Sequence, residues 1–147
     1  MNKTIAKPWG YYEDFFRNEE VVFKKIVVNP DSQLSLQIHS NRGEFWFVSS
    51  GTGFMVYNDL EKDLKPGDSI EIPRGIIHCI INNGDEILTI YEMQYGVCSE
   101  DDIVRLDDKY GRENESDLGM GIDGMVCPVK PVKICDNLPK GKNNAQD

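Results

Sequence analysis

The chain has 147 residues and only two histidines, and each histidine stands in a patterned segment with other ligand-type side chains. The first segment reads Asp31-x5-Gln37-x-His39-x4-Glu44-x6-Gly51, and the second Gly67-x5-Pro73-x-Gly75-x2-His78-x3-Asn82. On a strand Gln37 and His39 share one face. A short turn on Asn41-Arg42-Gly43 brings Glu44 into the next strand, and Pro73 and Gly75 fix the turn before His78. Two imidazoles, one carboxylate and one amide oxygen converging in a barrel make a four-ligand cage for a first-row divalent ion, with positions left for water or substrate. A buried histidine taken singly is more often hydrogen-bonded in a core than bound to metal. Two histidines at paired offsets, together with Glu44, favour metal.

The elements that must position these groups are short. The stretch from Val21 to Glu92 is rich in Val, Ile, Phe, Tyr and Thr and is cut by turn-forming clusters such as Asn29-Pro30-Asp31, Lys65-Pro66-Gly67-Asp68 and Asn82-Asn83-Gly84-Asp85. Strands are expected over Val21–Val28, Leu34–His39, Phe45–Ser49, Gly53–Tyr57, Ser69–Ile72, Ile76–Ile81 and Ile87–Gln94, lengths and spacings that suit an antiparallel sandwich or barrel. No segment in this region carries a long 3.6-residue period, so the core is expected to be all-β, with at most one helical turn over Ser99–Leu106. Residues 1–112 are expected to form the barrel with an N-terminal arm. Residues 113–147, rich in Gly, Asn, Lys and Pro, are expected to form an irregular arm or tail, with Lys140–Asp147 disordered. Within that tail Val126–Ile134 could lie along a sheet edge or a partner subunit, although Pro128 and Pro131 deny it a central place.

Alternation along the strands bears on assembly. Ser35, Gln37 and His39 share one face and Leu34, Leu36 and Ile38 the other; Glu44, Trp46 and Val48 oppose Phe45 and Phe47. If the polar set lines the interior, the apolar set needs cover, and a homodimer is expected. Sixteen Lys and Arg against twenty-five Asp and Glu leave a net charge of −9, which repels nucleic-acid phosphates and anionic lipid. No apolar run approaches the roughly 18–20 residues that span a bilayer, and the first residues lack the apolar stretch of a secretory signal, so the expected location is the cytoplasm. In that reducing compartment Cys79, Cys98, Cys127 and Cys135 are expected as free thiols, a Cys127–Cys135 bridge being the alternative.

The two patterned segments resemble the paired motifs of the cupin superfamily, which implies a double-stranded β-helix, or jelly roll, with a metal in its barrel. The second motif matches at Gly67, Pro73, Gly75, His78 and Asn82. The first departs from the pattern with Asp31 where a glycine usually stands and Gln37 where a histidine does. A Gln-x-His pair with a later Glu and His is similar to the zinc site of mannose-6-phosphate isomerases. The likeness extends through Lys7-Pro8-Trp9-Gly10-Tyr11-Tyr12-Glu13, Arg42-Gly43-Glu44-Phe45-Trp46 and the run from Asp101 to Arg112. These segments resemble the type II isomerase domain that ends bifunctional mannose-1-phosphate guanylyltransferases. No Gly-rich nucleotide loop is present, so guanylyl transfer is not expected. Ser40, Asn41 and Phe45 stand where such domains commonly carry histidine.

The resemblance implies a sugar-phosphate aldose–ketose isomerase, converting mannose 6-phosphate to fructose 6-phosphate through a cis-enediol and serving nucleotide-sugar and polysaccharide synthesis. Gln37, His39, Glu44 and His78 would hold one divalent ion, with zinc expected and Fe, Mn, Ni or Co as alternatives, acting as a Lewis acid. Glu92 or Lys24 would shuttle the proton, unless each is an ordinary exposed strand charge. Arg105 and Arg112, with Tyr110 beside them, would take the phosphate, unless the arginines pair with Asp101, Asp102, Asp107 and Asp108 at the surface. Trp9 and Trp46 are read as packing. Two other readings stay open: a carbohydrate-binding or regulatory cupin without turnover, suggested by Ser40, Asn41 and Phe45, and a ferrous oxygenase, since two histidines and a carboxylate also suit iron.

Overall fold

The computed structural model describes residues 2–99 and 101–107. Tyr110, Arg112, Cys127, Cys135, Val126–Ile134 and the tail from 113 onward lie outside the described residues. Twelve strands are described: β1 Lys3–Lys7, β2 Gly10–Arg17, β3 Val21–Val28, β4 Ser32–Gln33, β5 Leu36–Ile38, β6 Arg42–Ser50, β7 Gly53–Tyr57, β8 Leu60–Leu64, β9 Ser69–Ile72, β10 His78–Asn82, β11 Leu88–Gly96 and β12 Val104–Asp107. They form two antiparallel sheets. The first has the order β1-β2-β3-β11-β6-β9, and the second β12-β5-β10-β7-β8 with β4 also paired to β10. No helix of the described residues is long and apolar enough to cross a membrane.

The expected strands over Val21–Val28, Gly53–Tyr57 and Ser69–Ile72 have the observed bounds. Two expectations are corrected. The helical turn expected over Ser99–Leu106 does not extend past Asp102: Asp102 N–H donates to the Ser99 carbonyl, after which Val104–Leu106 belongs to β12, which pairs with β5. Strand pairing satisfies the backbone there, which a lone helical turn cannot do. Leu34–His39 is not one strand, because the chain leaves the ladder at Leu34 and Ser35 between β4 and β5. That break resets the alternation, so Leu34 packs against the interior core instead of joining Leu36 on the outer face.

The interior changes character along its length. On adjacent rungs of the first sheet, Ile90 of β11 stands opposite Val48 and Ile26, Glu92 opposite Trp46 and Lys24, and Gln94 opposite Glu44 and Val22. At one end Ile26, Val28, Val48, Leu88 and Ile90 meet Met55, Leu64 and Ile80 of the second sheet in the main core. Each such side chain contributes about 1.5–3 kcal/mol on burial. At the other end the same faces carry Lys24, Glu44, Glu92 and Gln94, and the apolar half of the sandwich holds this polar half in place. Cys79 and Cys98 are buried free thiols.

Candidate metal centre and adjoining cleft

The two histidine segments are tied together by backbone. Gly75 N–H donates to the His39 carbonyl at 2.8 Å, so the turn before His78 hangs on the end of the first segment. Gly75 holds φ at +78° while a Cβ there would meet nothing within 4 Å, so the glycine serves the left-handed conformation and not close approach. Asp31, where the pattern usually has glycine, also adopts positive φ, +53°, which Asp tolerates better than most residues. Asn82 closes the second segment by donating to the carbonyls of Val28 and Glu86 and accepting from Gly84 N–H.

Within this frame His39, Glu44 and His78 offer ligand atoms that all lie within 4.8 Å of one another. Glu44 stands between the rings: Oε1 is 2.9 Å from His39 Nε2 and Oε2 is 3.4 Å from His78 Nε2, with each side chain at most 3% exposed. The other ring nitrogens are engaged, His39 Nδ1 with the Asp102 carbonyl at 2.7 Å and His78 Nδ1 with the Ile76 carbonyl at 2.8 Å. A carbonyl can only accept, so Nδ1 carries a proton and Nε2 is the nitrogen that faces the shared centre, donating to Glu44 when the ring is protonated and offering its lone pair to a cation when the ring is neutral. That is the tautomer a metal ligand needs, and the donor set fits a divalent cation. The Asp102 carboxylate also accepts from the backbone N–H groups of Ser40 and Asn41, which fixes the loop bearing His39.

Gln37 is the register partner of His78 and lines a small cavity with Glu44, Trp46, His78 and Glu92. Its Nε2 donates to Ser35 Oγ at 3.0 Å, which leaves the amide oxygen as the acceptor end. Burial pushes the Glu44 carboxyl up, but the His78 charge and the hydrogen bonds from both imidazoles outweigh it and hold Glu44 well below the usual carboxylate range. Burial pulls His78 down, and the neighbouring Glu44 charge more than offsets this, so His78 is raised overall.

A cleft open to solvent adjoins this centre. Glu92 and Lys24 line it and are 5% and 7% exposed. Neither is therefore an ordinary exposed strand charge. Glu92 Oε1 accepts from Gln94 Nε2 at 2.7 Å and Oε2 from the Trp46 indole N–H at 2.9 Å. Burial, then the Glu44 charge, raises the Glu92 pKa to about 7, against the opposing pull of Lys24 and Arg42. Arg105, the register partner of Gln37, is buried and lines the same cleft from the second sheet instead of standing at the surface.

Two residues of the site were given no part in its chemistry from the sequence: Trp46 was read as packing, and it does lie in the main core. The Trp46 indole N–H is shared between Glu44 Oε2 at 3.0 Å and Glu92 Oε2, so it bridges the candidate ligand to the candidate base. The signal was the strand alternation that puts Glu44 and Trp46 on one face. Arg42, read only as part of a turn, is buried with Nε 3.7 Å from Glu44 Oε1, and its Nη1 donates to the Ser99 carbonyl. Trp9 is a packing residue, as expected, and belongs to the main core.

The family described as mannose-6-phosphate isomerase C-terminal matches residues 1–108. The chain is 39% identical over 113 residues to the mannose-1-phosphate guanylyltransferase ManC of Salmonella typhimurium, a match covering 76% of this chain and 24% of that protein. It is 39% identical over 115 residues to the alginate biosynthesis protein AlgA of Pseudomonas aeruginosa, covering 78% of this chain and 24% of the relative. The chain thus spans about a quarter of the length of these curated relatives. Its fold is shared with a Klebsiella pneumoniae protein with a double-stranded β-helix domain, at a TM-score of 0.54 and 19% identity, covering 57% of this chain and 74% of that one.

Proposed function

Since the chain belongs to the mannose-6-phosphate isomerase C-terminal family and has the cupin fold, we propose that it is a metal-dependent aldose–ketose isomerase of the mannose 6-phosphate to fructose 6-phosphate type. The observation that carries this reading is the placement of three converging ligand atoms beside a buried carboxyl whose pKa lies at about 7. His39, Glu44 and His78 hold one divalent ion, zinc in this reading, with the Gln37 oxygen as fourth ligand. The ion, when bound, supplies a Lewis acid that polarises the substrate carbonyl.

The chain's own groups do the proton chemistry. Glu92 is the base that takes the proton from C2 of the open-chain aldose and returns it to C1, while the O2 hydroxyl proton passes to O1, because a carboxyl titrating near neutral pH serves as both acceptor and donor. Trp46 and Gln94 fix its two oxygens. Lys24, its register partner on β3, places a positive charge beside the carboxylate and is assigned to electrostatics, not to proton transfer. Arg105 reaches the cleft from the opposite sheet and takes phosphate oxygens, with Tyr110 and Arg112 assigned to the same ligand. The route served is nucleotide-sugar and polysaccharide synthesis in the cytoplasm, in keeping with the name of the relative AlgA.

The protein acts as a homodimer in this reading. Support comes from the outer face of the first sheet, where Met93 stands in register between Phe23 and Phe45, and Tyr91 beside Phe47. Phe23, Phe45, Phe47 and Met93 are 37–44% exposed, a contiguous apolar patch of the kind that second copies cover.

A coupled assay that detects fructose 6-phosphate from mannose 6-phosphate tests the reading. Conversion by metal-loaded wild type, abolished in His78→Ala, is expected. Metal-loaded protein that binds the sugar phosphate without converting it returns the chain to the binding or regulatory reading.

A further inference from the structure

The cleft gathers four basic side chains in a chain that is strongly acidic overall. Lys7, Lys24, Arg42 and Arg105 line it against two carboxylates, Glu44 and Glu92, while the whole sequence carries −9. Arg42 is engaged beside Glu44, and Glu92 is the register partner of Lys24. Lys7 lines the cleft from the N-terminal hairpin.

At that place two ammonium groups share one aromatic ring. Lys24 Nζ lies 4.5 Å from the centroid of Tyr12, and Lys7 Nζ lies 5.7 Å from it. Each is within the range at which a ring face attracts a cation. The arrangement is built by strand pairing. Tyr12 of β2 stands opposite Ile5 of β1 and Ile26 of β3, and Lys7 closes β1 opposite Gly10. Trp9 follows in the turn, with its side chain in the main core and its carbonyl accepting from Asn29 N–H. The hairpin is thus anchored with Lys7 facing the cleft.

We propose that Lys7 and Lys24, gathered on Tyr12, form the phosphate subsite of the cleft, completing from the first sheet what Arg105 begins from the second, so that the β1–β2 hairpin is a wall of the binding site. The position suits a sugar phosphate. Lys24 lies on β3 and Glu44 on β6, with β11 between them, and Glu44 stands two residues out of the Lys24–Glu92–Trp46 rung, so two strand spacings of roughly 4.8 Å and two residue rises of roughly 3.4 Å set them on the order of 12 Å apart. A sugar phosphate lying in that interval has its phosphate at the hairpin and its reacting carbons toward Glu44. Two lysines act as point charges on a dianion that rotates freely, so the subsite selects for the phosphate group and not for one orientation of it.

This inference rests on the reading of the cleft as a sugar-phosphate site, and binding separates the two. Calorimetric titration of wild type, Lys7→Met, Lys7→Arg and Lys24→Met with mannose 6-phosphate, mannose and inorganic phosphate is the test, with turnover of mannose 6-phosphate measured alongside. Wild type should bind mannose 6-phosphate at least about tenfold tighter than mannose, each Met variant should lose about tenfold in that affinity, and Lys7→Arg should retain most of it. Lys7 is half-exposed, so Lys7→Met decides the matter should Lys24→Met fail to fold. Unchanged mannose 6-phosphate affinity in Lys7→Met, or a wild type that binds mannose as tightly, overturns the subsite. Turnover with unchanged binding in the variants removes the subsite and leaves the isomerase standing. Phosphate binding that the variants lose, without turnover in wild type, removes the isomerase and leaves the subsite.

Discussion

Chemistry at the residue scale turns on Glu92. Its pKa of about 7 comes from burial first and the Glu44 charge second, with Lys24 and Arg42 pulling the other way. A general base works in its ionised form, so activity should rise with pH as Glu92 loses its proton. Removing a positive charge that stabilises the carboxylate raises its pKa further, so Lys24→Met should move the acid limb of kcat to higher pH than in wild type, and Glu92→Gln should lose turnover across the range. Superimposable pH profiles for wild type and Lys24→Met would contradict this assignment. The candidate ligands were legible from the sequence because alternation, turn chemistry and the two motif patterns together pointed Gln37, His39, Glu44 and His78 toward one interior. The choice between Glu92 and Lys24 was not, because their burial depends on three neighbouring strands closing over them, and Trp46 reads as packing until its N–H is seen between two carboxylates.

At the scale of elements, the site depends on turns more than on strand propensity. Gly75 carries the clearest case: its N–H reaches the His39 carbonyl, its φ is positive, and nothing blocks a Cβ. Gly75→Ala should therefore show conformational cost with no steric clash, destabilising the fold by about 1–2 kcal/mol in urea unfolding. An unchanged midpoint would show that the turn relaxes freely. Strands with a clean apolar pattern, β3, β7 and β9, could be bounded from the sequence to the residue. The hairpin β1–β2 could not, since Gly10-Tyr-Tyr-Glu-Asp-Phe-Phe-Arg17 does not alternate and bulges between Asp14 and Phe16. Nor could β8, a polar edge strand with only Leu64 turned to the core. Pairing with a neighbour, which no local pattern records, makes these segments strands.

For the whole molecule, the two faces of the first sheet divide the work: the inner face carries the site and the outer face carries Phe23, Phe45, Phe47 and Met93. Two copies at −9 each repel at long range, and in the proposed dimer this apolar patch supplies the opposing attraction. Light scattering should give the mass of two chains for wild type and of one for the Phe45→Lys, Phe47→Lys double variant. A monomeric wild type would contradict the dimer and leave the site untouched, since His39, Glu44 and His78 all come from one chain. The account stands or falls on the cation site between the sheets. Elemental analysis of purified, dialysed protein is the direct measurement: one divalent ion per chain in wild type, with zinc expected, and almost none in folded His78→Ala and Glu44→Ala. No bound ion in wild type, or the same metal content in those two variants, would contradict it.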